Sequence, residues 1–245
     1  MFDIVSKFHA PAGSPLTTVR GALEVLRPLA NWLGTKDPLL SKWFLGGQTL
    51  EAALQYQAFV DEVNGHTACV ALLEASAKKT GDVGIMLWNG QNSAETGASL
   101  SMLVMDGPFP SQIALELAGD PARPRLGDYA ATAAFLAMMV LATRPECAFV
   151  YGQSSYGNKQ AFKDRPGVGW MLYLPREFTV QDVPEARALL PVVDGKNRLG
   201  TIIVSVIDAV FDDLNPEHLK TARDIETRLV SNDWLPTWAQ MMRPA

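Results

Sequence analysis

Apolar positions change their period along this chain, and each change predicts an element. Phe2, Ile4 and Phe8 alternate with other positions and predict a strand. The turn H-A-P-A-G-S-P follows, after which Ser14 offers an N-cap with Pro15 at the first helical position. Val19, Leu23, Leu26 and Ala30 recur at helical spacing, so a helix runs to about Leu33, with a kink or early break at Pro28 and a stop at Gly34. K-D-P-L-L-S-K-W-F-L-G-G predicts a turn or partial helix that holds Trp43 and Phe44. Thr49 can cap a short helix through Leu54, and the stretch up to Val63 has no clear period. Residues 67–79 read as a helix rich in Ala and Leu, whose two final lysines suit the negative end of its dipole, with Gly81 as its stop.

Period two then takes over. Residues 83–88, 98–105 and 111–118 predict an antiparallel meander, linked by the polar loop 89–97 and by a D-G-P-F-P turn. Alternation in I-A-L-E-L leaves one face of the last of these strands wet. Asp128 caps a helix over 129–143 that is apolar nearly all round and belongs deep in the core. Strands over 148–151 and 168–174 flank a polar loop, while 175–194, with Pro184 and Pro191, predicts an irregular crossing. The strongest strand covers 199–206 and is rich in β-branched residues. Asn215 then caps a helix with Pro216 at its first position and Glu217 at the positive end of its dipole. Leu219, Ala222, Ile225 and Leu229 share one face of that helix, and Lys220, Arg223, Asp224 and Arg228 the others.

The order β-α-α-β-β-β-α-β-β-β-α, with strands clustered between helices, predicts an α+β fold with a largely antiparallel sheet packed against several helices. Residues 1–245 are read as a single domain. A weak organisation into two halves, 1–120 and 121–245, is conceivable, without a residue-level repeat.

Composition narrows the function classes. With 48% hydrophobic and 19% charged residues, the chain has ample material for a core. A net charge of −5 argues against direct nucleic-acid binding and suits a basic partner. The longest apolar run is too short to cross a bilayer, so no membrane partner is expected, and the amino-terminal sequence lacks a secretory pattern. Cys69 and Cys147 lie far apart and read as buried reduced thiols of a cytosolic protein.

The candidate chemistry is sparse. G-Q-S-S-Y-G at 152–157 is not a nucleophile elbow, because its second glycine falls one position late. The same loop carries Tyr156, Lys159, Phe162, Lys163 and Arg165, a mix that either contacts a partner or is solvated. His9, His66 and His218 share no metal-binding spacing, and His218 reads as neutral and solvent-facing. The glycines form no phosphate loop, so no cofactor is expected; Gly167 and Gly169 flank the approach to a core Trp170. Asp208, Asp212, Asp213 and Glu217 gather where the strongest strand gives way to the last helix. They suit helix caps and surface, a docking patch for a basic partner, or an acid–base pair.

G-V-G-W-M-L-Y-L-P at 167–175, G-T-I-I-V-S-V at 200–206 and F-D-x-x-N-P-E-H-L-x-x-A-x-x-I-E-x-R-L at 211–229 resemble the immunity protein 52 family. So do S-K-F-H-A-P-A-G-S-P-L-T-T-V-R and L-A-N-W-L-G-T-K-D-P-L-L near the amino terminus. The resemblance implies a cytoplasmic antidote, without turnover, in a bacterial polymorphic-toxin or type VI secretion system. Its partner would be a nuclease toxin with a restriction-endonuclease-like fold. On that reading Asp208, Asp212, Asp213 and Glu217 form part of an acidic toxin-binding surface, and Tyr156, Lys159 and Phe162 supply contacts from the neighbouring loop. The competing classes are a hydrolase-like enzyme that uses the carboxylates and an adaptor that binds something other than a toxin.

Overall fold

The computed structural model describes residues 2–47, 49–60, 63–119, 125–152 and 156–242, with 63–66 as backbone only. The elements run β1 (Phe2–Phe8), α1 (Val19–Lys36), β2 (Phe44–Leu45), α2 (Leu50–Leu54), α3 (Val63–Thr80), β3 (Val83–Trp88), β4 (Ala98–Val104) and β5 (Ser111–Leu117). They continue with α4 (Tyr129–Thr143), β6 (Cys147–Tyr151), β7 (Met171–Leu174), β8 (Ala188–Asp194), β9 (Asn197–Val204) and α5 (Pro216–Ser231). The fold is α+β. Among the described residues nine strands join one sheet in the order β2-β3-β4-β5-β1-β6-β7-β9-β8, and every neighbouring pair is antiparallel.

β1 lies in the middle of that sheet, and its alternation sorts the two faces. Ile4 and Phe8 are fully buried, and Ser6 Oγ lies 3.2 Å from Thr143 Oγ1 of α4. The register sets Ile4 beside Leu115 and Val150, and Leu115 beside Leu100, so one face carries a continuous apolar layer. α1, α3 and α4 pack against this layer. α1 packs on α4, where Trp32 and Phe135 meet with ring centroids 5.4 Å apart, but Ala130, Ala134 and Leu141 remain exposed, so α4 is not enclosed all round as its apolar girth predicts.

The opposite face is covered over only part of its width. Phe149 of β6 meets Trp238 edge-on at 6.4 Å, and Cys147 Sγ lies 3.7 Å from Met241 Sδ, so the C-terminal segment lies across β6. On β3, β4 and β5 the same face carries Met86, Ser101, Leu103 and Glu116, all partly or largely exposed.

Several local expectations are corrected. Ser14 caps a short 3-10 turn, Pro15–Thr17, and it is Thr18 whose side chain caps α1, accepting from the Gly21 amide at 3.1 Å. α1 continues through Pro28 and past Gly34 to Lys36. Gly34 matters for another reason: a Cβ there would sit 3.0 Å from Ser41 Cα, so its absence lets the following turn fold back against the helix. The expected irregular crossing contains the edge strand β8, with Pro191 where no ladder hydrogen bond is required and a bulge at Val192/Val193.

Candidate functional site

The predicted carboxylates lie on the connection from β9 to α5. The chain leaving β9 is fixed first: Ser205 Oγ donates to the Gly169 carbonyl at 2.7 Å, and Trp170 Nε1 donates to the Val206 carbonyl at 2.8 Å. Trp170 is fully buried, as expected of a core residue. The segment then surfaces at Ile207 and Asp208 and dives again at Phe211. Phe211 is held edge-on to Tyr156 (5.2 Å) and stacked on His218 (6.0 Å). Gly152 is required behind it, since a Cβ there would sit 2.1 Å from the Phe211 carbonyl oxygen.

Polar groups then start α5. The Asp212 amide donates to His218 Nδ1 at 3.1 Å, and Asp212 Oδ1 accepts from the Leu214 amide at 2.9 Å. His218 is thus half-buried and engaged through Nδ1, which corrects the solvent-facing expectation. Asn215 Oδ1 accepts from the Glu217 amide at 3.0 Å and caps the helix. Asp208, Glu217, His218 and Arg187 line a recess of about 380 Å³ at this helix start. Leu214 and Ile207, beside the carboxylates, are 72% and 42% exposed.

The seven predicted residues therefore separate into two groups. Asp208 and Glu217 are exposed and line the same recess, while Asp212 is half-buried and does not line it. Asp213 is buried, with Lys159 Nζ 3.2 Å from its Oδ1 and 3.1 Å from its carbonyl oxygen, so this pair holds the neighbouring loop to the helix start. Phe162 is half-buried beside the Arg165 guanidinium, 5.8 Å from its ring centroid. Tyr156, expected as a surface aromatic, has no exposed area, because Tyr151, Phe211 and Glu226 enclose it. The loop's other cations are also committed: Lys163 donates to the Gly157 carbonyl and Arg165 to the Leu235 carbonyl. Gln153, Ser154 and Ser155 lie outside the described residues.

One carboxylate escaped sequence reasoning. Glu226 of α5 is 1% exposed. Its Oε1 accepts from the Tyr156 hydroxyl and from the Val168 amide (3.0 Å), and its Oε2 from the Ala161 amide (2.6 Å). Burial raises its carboxyl above the usual range, and the three donors offset part of that rise. Burial likewise pushes the Tyr156 phenol up, with the Glu226 charge adding to the effect. Glu226 serves to clamp the 156–168 loop onto α5. Its position was legible: residue 226 falls on the same helical face as Ala222 and Leu229.

Among the described residues no group of three or more His, Cys, Asp or Glu side chains gathers to hold a metal, and no helix is long and apolar enough to cross a membrane. What the helix start offers is an exposed recess that Asp208, Glu217, Ile207 and Arg187 line together. No curated protein matched the chain in comparison. The family model for immunity protein 52 matches residues 22–236, from the first turns of α1 through α5. The chain belongs to the immunity protein 52 family.

Proposed function

We propose that this immunity protein neutralises a nuclease toxin with a restriction-endonuclease-like fold by stoichiometric binding, without turnover. It would do so in the cytoplasm of the producing cell, as part of a polymorphic-toxin or type VI secretion system. Family membership supplies the toxin as partner. The observation that carries the nuclease reading is the surface at the start of α5, where Ile207, Asp208 and Glu217 line one recess and Leu214, close by in the chain, is also exposed. A nuclease must present basic side chains to phosphates, and carboxylates on an inhibitor complement such a surface and speed encounter. Exposed aliphatic groups beside these carboxylates offer apolar area that a partner would desolvate.

The test is co-expression with the product of the adjacent toxin gene, followed by survival and co-purification. Rescue with a one-to-one, salt-sensitive complex is expected. Reversing Asp208 and Glu217 together, or replacing Leu214 with Lys, should weaken that complex by about 30-fold, the effect of losing one strong contact. Unchanged affinity in these variants would move the toxin surface elsewhere, and a toxin with no nuclease activity would remove the nuclease assignment.

A further inference from the structure

The face of the sheet away from α1 and α4, which among the described residues only α2 borders beside β3, bears a second carboxylate pair. β1 and β5 set Asp3 directly opposite Glu116, and both side chains project from the face away from α1 and α4. Like charges directly across a strand pair oppose folding. Ser99 Oγ donates to Glu116 Oε2 at 3.1 Å, whereas Asp3, half-buried, has its Oδ1 shielded from solvent and without a hydrogen-bond partner among the described residues. Burial raises the Asp3 carboxyl, and the Glu116 charge adds to that rise. Across the same face lie Ala114, Ser101, Leu103 and Met86, the last 72% exposed. Beyond Met86 a recess of about 400 Å³ is lined by Leu50, Ala53, Met86 and Trp88.

Topology places this pair at the same end of the sheet as the start of α5. Antiparallel pairing brings the start of β1, the end of β5, the end of β6 and the end of β9 to one end of the sheet. Four strand steps separate β5 from β9, roughly 19 Å at the usual spacing. A standard interface of about 800 Å² on each partner is close to 30 Å across, so one partner can span both.

We infer that the uncovered face of β1, β5, β4 and β3 is a second part of the toxin-binding surface, taking an arginine or lysine of the toxin at Asp3–Glu116 and an apolar side chain at Met86. The inference rests on the antidote reading, which supplies a basic partner, and on the charge of the face, which is acidic at the end it shares with the start of α5. A cation held between Asp3 and Glu116 would relieve a repulsion that the free fold retains, so the site is stronger for the partner than for solvent.

Glu116→Lys and Met86→Glu test it, because both side chains are exposed and neither supports the core. The probe is the catalytically inactive product of the adjacent toxin gene, with affinity read by calorimetry and stability by thermal unfolding. Glu116→Lys should hold or raise the melting temperature, since it places a cation beside Asp3, while weakening toxin binding about tenfold or more. Met86→Glu should also weaken binding without loss of stability. Wild-type affinity in both variants, while the Asp208 and Glu217 reversals still weaken the complex, would overturn this inference and leave the antidote reading intact. A wild-type chain that binds no toxin removes both. A wild-type dimer by sedimentation that Met86→Glu disperses, with toxin affinity unchanged, would show a second copy of the chain on this face and overturn it as well.

Discussion

The Tyr156 hydroxyl donates to Glu226 Oε1 across 70 residues of sequence, and both side chains are sealed from solvent. With the Val168 and Ala161 amides on the same carboxylate, the contact joins the 156–168 loop to α5 and places Phe211 between them. Removing the carboxylate leaves several buried donors without an acceptor. Glu226→Ala should therefore lower unfolding free energy by about 3 kcal/mol or more, and Tyr156→Phe by about 1 kcal/mol. Urea midpoints measure both, and equal effects from the two variants would contradict the clamp.

The same carboxyl gives stability a pH dependence of known sign. Its folded pKa is raised above the unfolded value of about 4.3, so the folded state holds the proton longer. The stability it contributes is fully present below the unfolded value and is lost as pH rises through the folded one. Glu226→Gln does not titrate. Wild type minus variant should thus decline from about pH 4 upward, and a difference that stays flat or rises counts against the assignment.

Burial pushes the Cys69 thiol up to about 11 and the Cys147 thiol up to about 12. At pH 8 both are protonated and shielded, so a disulfide-exchange reagent should label the native protein slowly. Both should react at once after denaturation. Rapid native labelling of either thiol would show that its site opens.

Gly152 and Gly157 offer a matched pair. A Cβ at Gly152 strikes the Phe211 carbonyl, whereas nothing lies within 4 Å of one at Gly157. Gly152→Ala should cost about 1–3 kcal/mol and disturb the start of α5, while Gly157→Ala should stay near neutral. Thermal melts of the two, read with toxin affinity, check this.

Arg125 ties the segment after β5 to the end of α1. Its Nε lies 2.6 Å from Asp37 Oδ2, and its Nη1 donates to the Thr96 and Gly97 carbonyls at 2.9 Å each. The pair is largely shielded from solvent. Arg125→Met should cost about 3–5 kcal/mol in chemical denaturation, because the shielded Asp37 would lose its ion-pair partner and the Thr96 and Gly97 carbonyls a donor. A loss below about 1 kcal/mol would mean that water replaces the guanidinium.

What the sequence disclosed followed from local physics. The alternation of β3 to β5, the apolar girth of α4 and the Asn215-Pro216-Glu217 start of α5 each reflect the residue's own neighbourhood, and each element is present. β8 was hidden because Pro191 argues against a strand, and only its place at the sheet edge makes proline tolerable there. Tyr156 and Asp213 look like surface residues in a polar loop. Their burial depends on Glu226 and Lys159, and loop polarity does not reveal which loops fold inward. The exposed carboxylates were legible as a cluster, but the pairing of Asp3 with Glu116 depends on a register set by strands far apart in the chain.

The central place of β1 has a consequence for synthesis. Its two neighbours, β5 and β6, begin at Ser111 and Cys147, more than a hundred residues downstream. At ribosomal rates of about 5–20 residues per second, β1 waits roughly 5–20 s for its first neighbour and longer for its second. Until then the sheet has no middle, and neither lateral half is joined to the other. A ribosome that stalls before residue 147 therefore yields a chain whose keystone has one bare edge, prone to capture by other nascent strands. The two lateral halves of the sheet can therefore be joined through β1 only once β6 has been synthesised.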